Sequence, residues 1–219
     1  MKQVVIVAGG SGKRMGSELP KQFIELNGVP LIIHTIRRFK SFDPDMHIVV
    51  VIPSDRLEYF ERLCEDHQEE VTVALGGKER FDSVKSGLKL CRPGLVGIHD
   101  AVRPFVSDKT LSDVYLAAEE FGAAIPVIHL TDSIRQLTED SNFAVDRTLY
   151  RLVQTPQVFR YDLIVKAYQQ EYSAQFTDDA SVMESAGFSI ALVEGNRENI
   201  KITSPDDLAW ARVYLDSGK

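Results

Sequence analysis

The sequence lacks the features that mark zinc, disulfide-rich and membrane proteins. Its two cysteines, Cys64 and Cys91, lie far apart and form no CxxC or CxxxH pattern, so neither a zinc site nor a disulfide framework is expected. No apolar run approaches the ~20 residues of a membrane-spanning helix, and the run at residues 4–8 is too short for a signal peptide. We therefore expect a soluble protein of a reducing compartment, the cytoplasm, without a membrane partner.

Basic residues are fewer than acidic ones, with 25 Lys and Arg against 32 Asp and Glu, which gives a net charge of −7. This balance disfavours a general nucleic-acid-binding surface, so an anionic ligand would need a local cluster of cations. The 44% hydrophobic and 26% charged residues exclude a disordered or fibrous chain. Since no linker or internal repeat interrupts the 219 residues, we expect a single domain over residues 1–219.

Short apolar runs alternate with amphipathic segments along most of the chain. This order predicts βαβ units, and hence an α/β, Rossmann-like fold with a mainly parallel sheet and flanking helices. The apolar runs lack strict alternation, which is typical of strands buried on both faces. Gly122 fits the residue after a helix, and Ser204 with Pro205 predicts the start of a C-terminal helix. The predicted strands cover 4–8, 48–52, 71–75, 95–98 and 123–128, and the other predicted helices cover 31–39, 57–64, 81–91 and 111–121.

One polar segment, residues 129–150, interrupts this alternation and is centred on a turn at residues 139–142. It predicts a two-stranded excursion from the sheet, which we call the arm. An isolated two-stranded ribbon is only marginally stable in water. We therefore expect the arm to protrude and to pack on a second subunit of a homodimer.

A glycine-rich turn with Ala8, Gly9, Gly10, Ser11 and Gly12 follows the first predicted strand. Glycines let backbone N–H groups approach an anion, and ligands of open α/β sheets lie beyond the carboxyl ends of the strands. The cations that follow, Arg14 and Lys21, could then bind a polyphosphate. The alternative is a tight turn flanked by solvated basic residues.

Two well-known glycine loops do not fit this turn. In a P-loop the lysine precedes Ser or Thr, whereas Lys13 precedes Arg14 and the glycine spacing differs. A dinucleotide-binding loop that starts at Gly10 requires Gly or Ala at position 15, where Met15 stands. A nucleotide-dependent oxidoreductase is therefore a remote alternative.

Seven ordered sequence blocks together span almost the whole chain. They are AGGSGKRM…PKQF (8–23), GGKERFDSV (76–84), HDAVRPF (99–105), TDSIR (131–135), VDR (145–147), TDDAS (177–181) and EGNRENIKIT (194–203). These blocks resemble the motifs of the 2-C-methyl-D-erythritol 4-phosphate cytidylyltransferases. The resemblance implies transfer of CMP from CTP to methylerythritol phosphate with release of pyrophosphate, in the non-mevalonate isoprenoid pathway.

The same resemblance assigns roles to individual residues, with Mg²⁺ as the cofactor and CTP and a polyol phosphate as ligands. The implied catalytic residues are Arg14, Lys21 and Lys201. The implied nucleotide-binding residues are Ala8, Gly9, Gly10, Ser11, Gly12, Gly76, Gly77, Ser83, Asp100 and Ala101. The implied acceptor-binding residues are Asp100, Arg103, Asp132, Ser133, Arg147, Thr177 and Lys201, with those of the arm serving the neighbouring subunit.

Several of these residues also have ordinary structural interpretations. Asp100 follows the strand at 95–98, where it could meet a metal ion or sugar hydroxyls, but it could equally pair with Arg103. Alternation predicts a strand in which Lys201 points away from its isoleucine neighbours, as solvent-facing lysines do. Ser83 and Thr177 could each cap a helix. The histidines show no metal-ligand spacing: His34, His47, His67, His99 and His129.

Two departures from the family pattern bear on the substrate. Ser133 stands where threonine is usual in the family. The first block begins with AGG, where many relatives have AAG, and the AGG form is also common in ribitol 5-phosphate cytidylyltransferases. Those enzymes are the main alternative, although VDR and TDDAS favour methylerythritol phosphate. A nucleotide-sensing module without turnover is the other alternative, but it would leave the retention of Arg14, Lys21, Asp100 and Lys201 unexplained.

Overall fold

The computed structural model describes residues 1–9 and 19–218, and it confirms the α/β class. The strands are β1 (Lys2–Val7), β2 (Glu25–Leu26), β3 (Val29–Pro30), β4 (His47–Ile52), β5 (Thr72–Leu75), β6 (Leu95–Asp100), β7 (Ala123–His129), β8 (Arg135–Leu137), β9 (Asn142–Ala144), β10 (Arg151–Val153), β11 (Gln157–Arg160) and β12 (Ala191–Glu194). The helices are α1 (Leu31–Phe42), α2 (Leu57–His67), α3 (Arg80–Leu88), α4 (Asp108–Phe121), α5 (Tyr161–Ala167), α6 (Asp179–Ser185) and α7 (Pro205–Asp216).

The main sheet has the strand order β10-β7-β11-β6-β1-β4-β5, and β12 pairs with β7. The half of the sheet from β6 to β5 is parallel, because β1 pairs in parallel with both β6 and β4, and β4 pairs in parallel with β5. Strand β11 is antiparallel to both β6 and β7, and β10 is antiparallel to β7. The prediction of a mainly parallel sheet is therefore confirmed, with two antiparallel strands that the sequence pattern did not indicate.

The predicted strands and helices are present, with ends shifted by a few residues. Strands β1 and β4 are buried almost throughout, as their continuous apolar character predicts. Helix α4 ends at Gly122, whose positive φ of 89° is the left-handed conformation that glycine adopts readily. Helix α7 begins after Ser204, whose side chain accepts a hydrogen bond from the Asp207 N–H, as predicted.

Within the arm, β8 and β9 form an antiparallel pair that is separate from the main sheet. The turn between them is closed by the Thr138 N–H, which donates to the Ser141 carbonyl at 2.9 Å. Every residue of the two strands is exposed. The proposed packing of this hairpin on a second subunit remains a prediction.

Two local predictions are wrong. Helix α6 is capped by Asp178, not by Thr177, because the Asp178 carboxylate accepts the Ser181 N–H at 2.9 Å. The segment around Lys201 is not a strand, since it lacks a backbone ladder and only the Ile202 N–H bonds across to the Val102 carbonyl. The alternation around Lys201 still holds, because Ile202 is buried and Lys201 is exposed.

None of the helices in the described ranges is both long and apolar enough to cross a bilayer.

Candidate active site

A cleft opens where the carboxyl ends of the parallel strands meet. Val7 at the end of β1 is in register with Asp100 at the end of β6, and the Gly76 N–H donates to the carbonyl of Ile52 at the end of β4. Such an edge is where open α/β sheets bind ligands. Eight residues predicted for the site line this cleft: Ala8, Gly9, Lys21, Gly77, Ser83, Asp100, Ala101 and Lys201.

The Ser83 hydroxyl holds the glycine turn that borders the cleft. It accepts the Gly77 N–H at 3.1 Å and donates to the Glu79 carbonyl, also at 3.1 Å. A Cβ atom at Gly77 would overlap the Asp82 side chain, so only glycine fits this close approach. The cap of α3 is Glu79, which forms a capping box with Asp82, and Ser83 lies inside the helix. The interpretation of Ser83 as a helix cap is therefore wrong, because its hydroxyl bonds to the turn.

Asp100 is buried and carries two cations on one oxygen. Its Oδ2 atom lies 3.1 Å from the Lys201 Nζ and 3.1 Å from the Arg103 Nε. Burial alone would raise the pKa of Asp100, but Lys201, then Arg80 and Arg103, more than offset this and hold the pKa well below its ordinary value. The carboxylate is thus ionised near pH 7. The predicted pairing with Arg103 is present, and Lys201 joins it.

Arg103 is fixed from more than one side. Besides its bond to Asp100, its guanidinium donates from Nη1 to the Asn199 carbonyl at 2.8 Å. Only 12% of its side chain is exposed, whereas 43% of the Lys201 side chain is. The Lys201 ammonium therefore stands between the buried carboxylate and the open cleft.

Lys21 reaches the cleft from a short 3-10 turn, Lys21–Phe23. The next residue, Gln22, is buried and donates from Nε2 to the Ala8 carbonyl at 2.6 Å. This bond ties the turn to the end of β1. Lys21 is therefore carried by backbone that is anchored to the edge of the sheet.

Arg80, which was not among the predicted site residues, also lines the cleft. Its guanidinium donates to both carboxylate oxygens of Asp179, at 2.9 and 2.6 Å, and the Tyr168 hydroxyl donates to Asp179 at 2.6 Å. Burial opposes the charge of Arg80, but Asp179 more than offsets this and raises its pKa. A signal was present, because a cation in the first turn of a helix is unfavourable without an anionic partner.

Other predicted residues are not brought into the cleft of this chain. Among the described residues, those that line it do not include Asp132, Ser133, Arg147 or Thr177. All four are exposed, and the Arg147 guanidinium donates to the Thr131 carbonyl within the arm. Gly10, Ser11, Gly12 and Arg14 lie outside the described residues.

The side chains of the described residues fit a metal ion only if a bound substrate supplies most of its coordinating atoms. Residues 1–9 and 19–218 contain no group of three or more His, Cys, Asp or Glu side chains that could hold a metal. Asp100 is the carboxylate at the strand ends, and Mg²⁺ commonly takes one or two carboxylates together with substrate phosphates. His99 beside it is buried, with both ring nitrogens in hydrogen-bond contact with protein atoms. The residues present therefore fit Mg²⁺ only as a partner of bound phosphates.

The charges of the cleft suit a phosphorylated ligand. Its described lining contains Lys21, Lys78, Arg80 and Lys201 against the carboxylates Glu79 and Asp100. This is a local cationic excess on a chain whose net charge is −7. Backbone N–H groups near the glycines and fixed cations can together stabilise negative charge on phosphate oxygens.

Comparison with known proteins agrees with this chemistry. The family model described as 2-C-methyl-D-erythritol 4-phosphate cytidylyltransferase matches residues 2–217. A protein of that name from Bacteroides thetaiotaomicron is 50% identical over 219 residues, covering 98% of this chain and 100% of the relative.

Solved structures give the same result. The 4-diphosphocytidyl-2C-methyl-D-erythritol synthase of Anaerococcus prevotii has a TM-score of 0.83 at 28% identity, covering 98% of this chain and 96% of that one. The 2-C-methyl-D-erythritol 4-phosphate cytidylyltransferase of Thermus thermophilus has a TM-score of 0.76 at 29% identity, covering 98% of both. The chain therefore belongs to the 2-C-methyl-D-erythritol 4-phosphate cytidylyltransferase family.

Proposed function

We propose that this chain transfers CMP from CTP to 2-C-methyl-D-erythritol 4-phosphate, giving 4-diphosphocytidyl-2-C-methyl-D-erythritol and pyrophosphate. Family membership supports this reaction. The observation that carries it is the sharing of the Asp100 carboxylate by Lys201 and Arg103 at the edge of a cleft that Lys21 also lines. In this proposal, residues 1–219 form a single nucleotidyltransferase domain.

In the proposed reaction, a phosphate oxygen of the acceptor attacks the α-phosphorus of CTP in line. The bond from this phosphorus to the oxygen that bridges to the β-phosphate breaks, and its electron pair leaves with pyrophosphate. An acceptor phosphate is already ionised near pH 7, so no general base is needed. Positioning and charge stabilisation then supply most of the acceleration, and Arg14, Lys21 and Lys201 are the residues proposed for it.

The glycine turns are proposed to bind the nucleotide. The backbone at Gly76 and Gly77 is held by Ser83 close to the cleft, which suits contact with the edge of a pyrimidine. Gly9 is close to the same hydroxyl, because a Cβ atom at Gly9 would lie 3.5 Å from the Ser83 hydroxyl oxygen. The nucleotide-binding set is completed in this proposal by Ala8, Gly10, Ser11, Gly12, Asp100 and Ala101.

Mg²⁺ is proposed as the cofactor, bound jointly by Asp100 and the phosphates of CTP. Bound there, the ion would supply positive charge to phosphate oxygens. The ionised state of Asp100 near pH 7 supports this assignment. Lys201 and Arg103 hold the Oδ2 atom of that carboxylate in place.

The acceptor is proposed to bind between two subunits of a homodimer. Arg103 and Thr177 would contact it from one subunit, and Asp132, Ser133 and Arg147 would contact it from the arm of the other. Exposed apolar side chains on and beside the arm support such a contact, because isolated chains rarely leave so many together. They are Leu137, Phe143, Leu149, Tyr150, Leu152 and Val153.

A cytoplasmic location is proposed on the state of the two cysteines. Both Cys64 and Cys91 are free. Burial, with Glu69 adding to it, raises the pKa of Cys64 to about 11, and burial raises that of Cys91 to about 12. Unpaired thiols of this kind fit a reducing compartment.

The test is pyrophosphate release from CTP, UTP, ATP and GTP with methylerythritol phosphate or ribitol 5-phosphate as acceptor. We expect turnover with CTP, methylerythritol phosphate and Mg²⁺, and its loss in excess EDTA. Asp100→Asn keeps the size of the side chain without its charge and serves as the inactive control. Turnover only with ribitol 5-phosphate would show that methylerythritol phosphate is not the acceptor. Turnover undiminished by EDTA would show that Mg²⁺ is not a cofactor.

A further inference from the structure

The residue that precedes Asp100 in the chain carries a buried imidazole. His99 precedes Asp100 in β6, is 0% exposed and packs edge-on against the Phe39 ring, with ring centroids 4.8 Å apart. Each ring nitrogen has a polar contact. Nδ1 lies 3.1 Å from the Thr155 hydroxyl oxygen, and Nε2 lies 2.9 Å from the Arg103 carbonyl oxygen.

These contacts define which ring nitrogen carries the proton. A carbonyl oxygen can only accept a hydrogen bond, so Nε2 must be the donor. The ring is 0% exposed, and its two nitrogens contact a hydroxyl and a carbonyl rather than a carboxylate, so burial favours the neutral form, which has only one N–H. Nδ1 is then a bare acceptor, and the Thr155 hydroxyl must donate to it.

The direction of the Thr155 hydroxyl matters for Asp100. The Asp100 N–H donates to the same Thr155 oxygen, at 3.1 Å. Because the hydroxyl proton points to His99, a lone pair of that oxygen is left to face the Asp100 N–H. If the ring carried its proton on Nδ1, this oxygen would have to accept from both N–H groups, and its own buried proton would lose its acceptor.

The other end of the imidazole holds Arg103. The Arg103 N–H bonds back to the Asp100 carbonyl at 3.2 Å, which closes a tight turn between the two residues. His99 therefore bonds to both ends of this turn, through Thr155 at Asp100 and directly at the Arg103 carbonyl. The two side chains at those ends share the ion pair at the edge of the cleft.

We propose that His99 is a positioning residue, whose neutral ring sets the place of the Asp100 carboxylate and the Arg103 guanidinium for the transfer reaction. It acts through hydrogen bonds and is not among the described residues that line the cleft. The inference rests on the proposed function. It goes beyond it by assigning a separate effect to each ring nitrogen.

Two substitutions separate the two ends of the ring. His99→Gln places an amide near Nε2, which keeps a donor for the Arg103 carbonyl and removes the acceptor for Thr155. His99→Asn places an amide near Nδ1, which keeps the Thr155 contact and removes the one to Arg103. His34→Gln is the control, since the His34 Nε2 also contacts a carbonyl, that of Leu26 at 2.8 Å, away from the cleft residues named above.

We expect the two variants to change different kinetic constants. His99→Gln should lower kcat roughly tenfold and raise the Mg²⁺ concentration required, because Asp100 is affected. His99→Asn should raise KM for the acceptor roughly tenfold with KM for CTP unchanged, because Arg103 is affected. Thr155→Val should reproduce His99→Gln and add nothing to it in the double variant, whereas Thr155→Ser should retain wild-type kinetics.

A readout without turnover separates this inference from the proposed function. Long-range ¹⁵N–¹H spectra of the wild-type protein near pH 7 should show that His99 carries its proton on Nε2. This measurement does not require the variants to fold. The Nδ1–H form would overturn the inference, as would equal losses in both variants that match the unfolded fraction. A wild type inactive on both acceptors, but with the Nε2–H form, would overturn the proposed function and leave the hydrogen-bond chain standing.

Discussion

Arg80 and Asp179 form a two-pronged ion pair, with N–O distances of 2.9 and 2.6 Å, that joins the first turn of α3 to the first turn of α6. The Asp179 side chain is 0% exposed, while a third of the Arg80 side chain is accessible from the cleft side. The pair therefore connects the helix that follows the turn at Gly76 and Gly77 with the helix that follows Thr177.

Asp179→Asn should destabilise the protein, because it leaves the mostly buried Arg80 charge without its anion. We expect a loss of about 3 kcal/mol in the free energy of unfolding, measured by urea denaturation. Asp162→Asn is the matched control, since Asp162 pairs with Arg160 on the surface and should lose less than about 1 kcal/mol. Equal small losses in the two variants would contradict the structural role of the pair.

Lys21→Ala should mainly lower kcat, by ~10²-fold or more, since its charge is proposed to act as the transition state forms. Steady-state kinetics with CTP and methylerythritol phosphate give the measurement. Lys109→Ala on α4 is the control, because its ammonium pairs with Asp113 at an exposed site and should leave kcat unchanged. A rise in KM with kcat intact would assign Lys21 to binding alone.

Acid should weaken the fold through His99. Its pKa is about 4 in the folded state and 6.5 when unfolded, so the unfolded chain binds this proton first as the pH falls. Stability from this group is present above pH 6.5 and is lost towards pH 4. Between pH 7 and pH 5 the metal-free wild type should lose about 2 kcal/mol more unfolding free energy than His99→Gln. Parallel losses in urea titrations of the two proteins would refute this assignment.

Arg147 should act in trans. Arg147→Ala and Lys21→Ala are each expected to be inactive, and the two are mixed under conditions that let subunits exchange. A heterodimer then has one site with both lesions and one with neither, so up to about half of the wild-type activity per heterodimer should return. No recovery, with exchange confirmed by a tagged subunit, would place Arg147 in the site of its own chain.

Local chemistry made the parallel half of the fold predictable. Continuous apolar runs marked β1 and β4, and glycine, serine and proline marked helix ends at Gly122 and Ser204. Strand β11 was missed because only two of its four residues, Val158 and Phe159, are apolar, so it lacks the continuous apolar run of the predicted strands, and its partners lie far away in sequence.

The same reasoning applies to the site. The glycine turns and Asp100 could be predicted, since each lies at or just beyond the carboxyl end of a predicted strand. Arg80 could not be assigned a role, because its partner Asp179 comes 99 residues later. The chain of bonds from His99 to Thr155 likewise crosses 56 residues, and no spacing rule reaches that far.

The position of β11 also fixes an order of events during synthesis. Within the described residues, strand β7 pairs only with β10, β11 and β12, all of which come later in the chain, and of these only β11 also pairs with β6. A nascent chain that has emerged only to the end of the arm can build the parallel half, but the edge of β6 stays open. Until residues 157–160 emerge, that edge is free to pair with other chains.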